Sequence, residues 1–479
     1  MLLPLAEYRM SVAPVEIGDE RAAPRLRSGA LSLMDAIGQS LAAVGPTLTP
    51  ALNVTVVLGL AGVGCWLSYF LGTLGVVIVA ASVGVLAARH PEAGSYFIYV
   101  GRTFGPLTGA LAGWAMISAY MFTAISTAFA FVIFLGDLLE AFHLSLAGPA
   151  KLPLMLVYIG TVIFGAYRDI KLSSRAGLVM EIISLSIIIT ITVLFVRVQG
   201  TIVDRTQLDI MSLHWPGIFS ALPFVIFSFV GFESSATLAK ESANPKRNIP
   251  RSIIGCAAFS GIFFTAMAYF MVLGMGDDAV ALGRSTAPFT DVAARAGLGW
   301  AATIVYCGAM ISVFACTLAS VNAAARLLFS MGKYQFLHRS MGLVHDTHRT
   351  PHRAILICGV LLVGVCLLML PVGYLNAFGY AGTIASFGFV VVYLALCIVA
   401  PLDLKKSGEM RPRHIVNGAV GTVLMLFVMI GSVYPVPEYP FNVLPYLFFV
   451  YMAVGAGWFA FLRWRSPQVL ATIQHDMEE

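Results

Sequence analysis

Charge is what this chain has least of. Asp, Glu, Lys and Arg make up 11% of its 479 residues, against about 25% in an ordinary soluble chain. That shortfall excludes a disordered protein, a soluble enzyme of ordinary build and a nucleic-acid binder. Cysteine is sparse as well. The seven present (Cys65, Cys256, Cys307, Cys316, Cys358, Cys366 and Cys397) lie in apolar stretches without a CxxC pair. They form no disulfide framework and read as small buried hydrophobes. No HExxH, P-loop or GxSxG motif occurs, so neither a cofactor nor enzymatic chemistry is expected. Apolar residues are abundant instead, at 59% with a mean hydropathy of +0.87.

Roughly 20 mostly apolar residues cross a bilayer. Twelve apolar segments read as such crossings: 33–62, 65–88, 106–135, 152–167, 173–196, 217–238, 252–275, 297–330, 354–371, 375–400, 415–434 and 443–462. The expectation is an all-α polytopic membrane protein whose partner is the lipid bilayer. The first and eighth segments exceed one crossing, so each should tilt or break. Glu7, Arg9, Glu16, Asp19, Glu20, Arg21, Arg25 and Arg27 crowd residues 1–31. That density excludes a signal-peptide core and suggests a cytoplasmic tail. The membrane domain is placed at 32–464, with a second cytoplasmic tail at 465–479. With the N-terminus inside, the inner face holds 24 of the 29 Lys and Arg residues. Only Lys151, Arg197, Arg205, Arg284 and Arg295 fall outside. Positive charge favours the cytoplasmic side, so both termini are placed there, in a bacterial inner (plasma) membrane.

Unwinding a membrane helix frees N–H and C=O groups that bind ions and zwitterions without a buried side-chain charge. Such a device needs Gly or Pro breaks at matching places in two halves. The first span reads AIGQSLAAVGPTLTPALN, with Val44, Gly45, Pro46 and Thr47 near its middle. Pro46 lacks a donor and clashes with the carbonyl of Ala42. The sixth span reads ALPFVIFSFVGFESSATLAKE; Val230, Gly231 and Phe232 form its break, and Glu233 follows at once. The two spans are five helices apart. A five-plus-five inverted repeat pairs them, with a first repeat at about 33–197, a second at about 217–400 and extra helices at about 415–462.

At these residues the chain resembles the amino acid–polyamine–organocation superfamily of permeases, which share the LeuT-type fold. PEAGSYFIYVGRTFGPLTGALAGW is similar to that family's approach to the third span. FSFVGFESSATLAKESANPKRNIPRSI is similar to its sixth span and the following loop. ASVNAAARLLFSMGKYQFL and IGQSLAAVGPTLTPALN resemble parts of its eighth and first spans. Many relatives have a GSG run at the first break, where this chain has Val44-Gly45-Pro46-Thr47. The resemblance implies a secondary transporter of amino acids or close amines, working by alternating access. It implies that the first break faces a substrate carboxylate through the N–H groups of Gly45 and Thr47 and the Thr47 hydroxyl. It also implies that the carbonyls of Phe229, Val230 and Phe232 face an ammonium, with Phe227 as an aromatic gate and Tyr120 lining the pocket.

Few ionisable residues sit inside the spans, and each is costly there. Glu233 is the candidate for proton or cation recognition, the role of the matching Glu in the resembling exchangers. Low dielectric disfavours a charged carboxyl, which suits proton coupling. Glu181, in the fifth span, is a second coupling candidate or the partner of an inward Arg. No Lys occurs from 172 to 196, so the lysine mechanism of some relatives is not supported. Thr317 and Ser320 are the cation candidates on the eighth span. The adjacent Thr-Ser pair of sodium-coupled relatives is missing, and helix hydroxyls usually bond back to their own carbonyls. Coupling by proton or by exchange is therefore expected ahead of sodium. Gly101, Gly105, Gly109 and Gly113 suggest close helix packing, with an interfacial segment at about 95–104 and a bend at Gly105-Pro106. Lys246, Arg247 and Arg251 suit lipid headgroups. His338, His345, His348 and His352 lie near Asp346 in a loop without a metal-site signature, so no metal is assigned. The rivals are a carrier for another organic solute, a channel and a membrane-embedded enzyme. A channel has no need of matched breaks, and an enzyme needs more clustered polar residues.

Overall fold

The computed structural model describes residues 26, 28–92, 94–275, 283, 288–434, 436–437 and 439–465. Regular structure there is helical, with one isolated backbone bridge between Leu31 and Ser242. Both expected tails, apart from Leu26, residues 28–31 and Arg465, lie outside the described residues. Ten helices among the described residues are long and apolar enough to cross a membrane, against twelve expected segments. The difference lies at the first, second and sixth segments. Leu33–Arg89 is one helical stretch by length, interrupted at Gly45 (φ 58°), where a short turn follows, and at Gly62 (φ 57°), where a 3-10 turn follows. The sixth segment holds only short helices, Trp215–Ser220 and Leu222–Phe227. The spans keep below the numbers of the twelve segments.

Neighbouring spans pair five apart in chain order. The first (Leu33–Val44) touches the 3-10 tail of the sixth (Ser234–Glu241), and the second (Cys65–Arg89) lies along the seventh (Pro245–Met275). The third (Pro106–Ala141) lies along the eighth (Ala301–Lys333), and the fourth (Gly148–Arg168) along the ninth (His352–Met369). The fifth (Ile170–Gln199) packs on the first and eighth, and the tenth (Tyr374–Lys406) on the third. The eleventh (Pro412–Gly431) and twelfth (Leu444–Arg465) flank the tenth. Outward faces carry exposed apolar side chains such as Ile262, Val360, Leu368 and Val423, as contact with lipid demands.

Several expectations change. Of the two expectations for the eighth span, tilt or break, the break is absent. The span is one helix of 33 residues, or about 50 Å at 1.5 Å per residue, because the run has neither proline nor a left-handed glycine inside it. The segment at 95–104, expected to be interfacial, is packed into the protein. It forms a helix, Tyr96–Phe104, and Tyr96, Phe97, Ile98, Tyr99 and Val100 are buried. Six cysteines are buried as read, but Cys307 is exposed. The glycine series is split between two helices by the bend at Gly105 (φ 97°). Across that bend Gly109 faces backbone directly: a Cβ there would stand 2.3 Å from the Phe97 carbonyl oxygen and 2.7 Å from Gly101 Cα. The rings of His345, His348 and His352 gather around Tyr167.

One end of the bundle is rich in charge pairs. Ser32 caps the first span, accepting from the Asp35 N–H while Asp35 accepts from Ser32. Arg175 donates to the other oxygen of Asp35 at 2.9 Å. Lys240 pairs with Glu92, Arg326 with Glu241, and Arg89 and His90 with Asp403. Leu31 donates to the Glu241 carbonyl, and Ala243 donates to the Leu31 carbonyl.

The Gly109 contact is testable. Gly109→Ala should lower stability in detergent by about 1–3 kcal/mol, the usual cost of overpacking, measured by thermal unfolding. Gly136→Ala, with nothing within 4 Å of the new Cβ, should be at least as stable as the parent. Equal stability of the two variants would show that the close backbone approach is absent.

Candidate functional site

The first break begins where a helix ends. Gly45 closes Leu33–Val44 in a left-handed conformation (φ 58°, ψ 60°), which costs glycine little. Its N–H turns back onto the carbonyls of Leu41 and Ala42, both at 3.1 Å. Pro46 and Thr47 form a turn, and a π-turn, Thr49–Asn53, leads into the helix Val54–Ala61. The fifth and eighth spans line this break. Ser184 donates to the Gly308 carbonyl at 3.0 Å, so in its contact with Thr47 the Thr47 hydroxyl is the donor. Cys316 donates to the Ala43 carbonyl at 3.2 Å. Ser312 Oγ lies 3.7 Å from where a Cβ on Gly45 would stand. Ser312 also donates to the fully buried carboxyl of Glu181, at 2.9 and 3.1 Å from its two oxygens.

The sixth span breaks at Gly231 (φ 98°). From Ser228 to Ser234 the chain turns by i to i+3 hydrogen bonds, and the 3-10 helix Ser234–Glu241 follows. The two breaks touch. A Cβ on Gly231 would fall 2.8 Å from the carbonyl carbon and oxygen of Ala43. Val44, Pro46, Phe229, Val230 and Phe232 are all buried around this contact. Phe229's carbonyl accepts from the Phe232 N–H at 3.3 Å. Phe227 is half-buried, its ring against Gly382 of the tenth span.

Glu233 is fully buried beside the sixth-span break, in a cage of three tyrosines. Tyr120 donates to Oε1 at 2.7 Å, and Tyr393 donates to Oε2. Tyr96 donates to the Glu233 backbone carbonyl at 2.8 Å and lies 3.1 Å from the Tyr120 hydroxyl. Every polar atom of the carboxyl thus has a partner, as a group at this depth requires. The cage ties the broken span to the third and tenth spans and to the helix Tyr96–Phe104.

The structure brings together both breaks, Tyr120 and Glu233. Gly45 offers no free N–H, because the left-handed turn caps its own helix. The Thr47 hydroxyl is engaged by Ser184. Glu181 has Ser312 as its partner in place of the inward Arg; the nearby Arg175 pairs with Asp35. Thr317 bonds back to Val313 at 2.8 Å and joins Thr127 at 2.7 Å and Tyr158 at 2.5 Å. Ser320 is buried on the same helix, outside that hydroxyl cluster. Sequence reasoning missed Tyr96, Tyr393 and Ser312. Tyr96 stands within the stretch that carried the family resemblance, but nothing in the sequence marks Tyr393 or Ser312 as neighbours of a carboxyl.

The sequence model of the amino acid permease family matches residues 35–470. A branched-chain amino acid permease of Bacillus subtilis is 26% identical over 78% of this chain and 82% of its own length. A methylthioribose transporter of Bacillus subtilis is 23% identical over 84% of each. A low-affinity putrescine importer of Escherichia coli K12 is 25% identical over 61% of this chain and 65% of its own. The match runs through both breaks and the cage around Glu233, and on it the chain belongs to the amino acid permease family, as a transporter and not an enzyme.

Proposed function

We propose that this protein carries an amino acid or a closely related amine across the bacterial plasma membrane by alternating access. On this reading the two repeats, at about 33–197 and 217–400, move around the contact between Ala43 and Gly231, and both termini lie in the cytoplasm. The observation that carries the reading is that contact, where two interrupted spans meet beside a buried carboxyl. Helix interruptions at one depth supply partial charges to a small polar solute without full buried charges.

Glu233 is the proposed proton sensor. Both of its oxygens accept from tyrosines. Protonation makes one oxygen a donor, so Tyr120 or Tyr393 has to turn its hydroxyl away. A proton is thereby converted into a rearrangement between the sixth span and its neighbours. Glu181 and Ser312 form a second, smaller carboxyl–hydroxyl unit beside the first break, and Thr317 and Ser320, on the same helix as Ser312, rank below them as cation ligands.

A second reading, a solute lacking a carboxylate, is favoured by the engaged Gly45 N–H and Thr47 hydroxyl. The relatives span these classes, being named for branched-chain amino acids, putrescine and methylthioribose.

Uptake by proteoliposomes decides the class, using amino acids, diamines and thiosugars at two pH values, with and without internal substrate and sodium. Movement of none of them would overturn the proposal; movement of diamines but not amino acids would select the second reading. Gly231→Val should reduce uptake by tenfold or more, about 1.4 kcal/mol or greater, while membrane insertion is kept. The Cβ meets Ala43, and left-handed strain adds about 1–3 kcal/mol. Normal uptake would show that the contact is not used. Glu233→Gln keeps the shape of the carboxyl but cannot take up a proton. Its uptake should become independent of an imposed pH gradient; a gradient response equal to the parent's would remove Glu233 from coupling.

A further inference from the structure

A deeply buried ion pair lies away from both breaks. Arg326, on the eighth span, and Glu241, the last residue of the sixth span's 3-10 tail, are each 1% exposed. Arg326 Nε donates to Glu241 Oε1 at 2.7 Å. An Arg–carboxylate pair serving as cement is typically bidentate, with its remaining atoms satisfied. This pair is joined by one charged bond. Arg326 Nη1 goes to the Asn322 carbonyl on its own helix at 3.2 Å. Arg326 Nη2 and Glu241 Oε2 are buried without a hydrogen-bond partner, as are Asn322 Oδ1 and Ser174 Oγ. Asn322 Nδ2 donates to Ser173 of the fifth span at 2.8 Å. Unmet buried polar atoms favour any arrangement that lets water reach them.

The pair also sits at a seam. The Glu241 carbonyl accepts from Leu31, and Ala243 donates to Leu31, at 2.9 and 2.8 Å. Ser235 N–H donates to Ser40 Oγ at 3.1 Å, and Ser234 Oγ to the Gln39 carbonyl at 3.2 Å. The tail of the sixth span is thus stitched to the start of the first by single hydrogen bonds. Arg326 adds the charged link from this seam to the unbroken eighth span. Separating the tail from the eighth span would expose two polar atoms, Arg326 Nη2 and Glu241 Oε2, that are unpaired when the seam is closed.

We propose that Arg326 and Glu241 form a latch that holds this end of the bundle shut and releases, admitting water, when the carrier opens toward it. The proposal rests on the alternating-access reading. The two residues do not touch the solute; they position the seam.

The test uses the full chain in proteoliposomes, with a cysteine reporter in the seam (Ser235→Cys) and another beyond the break (Phe227→Cys). Maleimide labelling is measured above that of the chain without a reporter. Glu241→Gln leaves Arg326 without its charged partner, so the double variant Glu241→Gln/Arg326→Met is measured beside it. A latch predicts that labelling at 235 rises by roughly fivefold or more as the population shifts, while labelling at 227 falls. A merely structural pair predicts that both rise together. That outcome, no change at either reporter, or failure of both variants to fold overturns the latch. Labelling needs no substrate. Reciprocal labelling with an inert uptake panel would therefore sink the proposed solute class and leave the latch standing. Uptake of an amine with parallel labelling would sink the latch alone.

Discussion

Every backbone N–H and C=O freed inside a membrane must find a partner, because hydrocarbon offers none. Two spans of this protein stop short, and the structure around them follows from that requirement. The first span caps itself through Gly45. Its Ala43 carbonyl receives a thiol from the eighth span, and Thr47 is held by a hydroxyl from the fifth. The sixth span turns through successive i to i+3 bonds, and the Glu233 carbonyl receives a phenol from Tyr96. Neither break is satisfied by its own segment alone. Each depends on intact neighbours.

Those neighbours explain the division of labour in the bundle. The third, eighth and tenth spans run as helices of 36, 33 and 33 residues and supply Tyr120, Cys316 and Tyr393 at defined heights. Side chains held on such continuous elements are placed more reproducibly than those on loops. The broken spans contribute backbone and adaptability, and the continuous ones contribute hydroxyls and rigidity. Ala43 and Gly231 approach so closely that even a methyl group on Gly231 would intrude.

Local chemistry was legible in the sequence; partnership was not. Gly45-Pro46 and Gly231 mark both interruptions, because proline and left-handed glycine act within a residue or two of themselves. Length alone left tilt and break open at the eighth span. An apolar run longer than one crossing breaks only if something in it is incompatible with a helix, and this run continues unbroken. The roles of Gly45 and Glu181 depend on direction and distance. The Gly45 N–H points into its own helix, and Glu181 faces Ser312, 131 residues away in sequence. The cage around Glu233 draws on residues 113 and 160 positions distant. No periodicity records such meetings. The charge asymmetry placed Arg326 among the inner-face cations, but its burial against Glu241 depends on how the sixth span ends.

The tail Ser234–Glu241 has a geometric property of its own. A 3-10 helix rises about 2.0 Å per residue and an α-helix about 1.5 Å. Eight residues therefore cover about 16 Å in the first form and about 12 Å in the second. The tail is wound in its longer form. Rewinding would shorten it by about 4 Å and rotate its side chains about the axis, since the two forms differ in residues per turn. The same stretch of chain can thus hold its terminal carboxylate at two heights, with its covalent length unchanged.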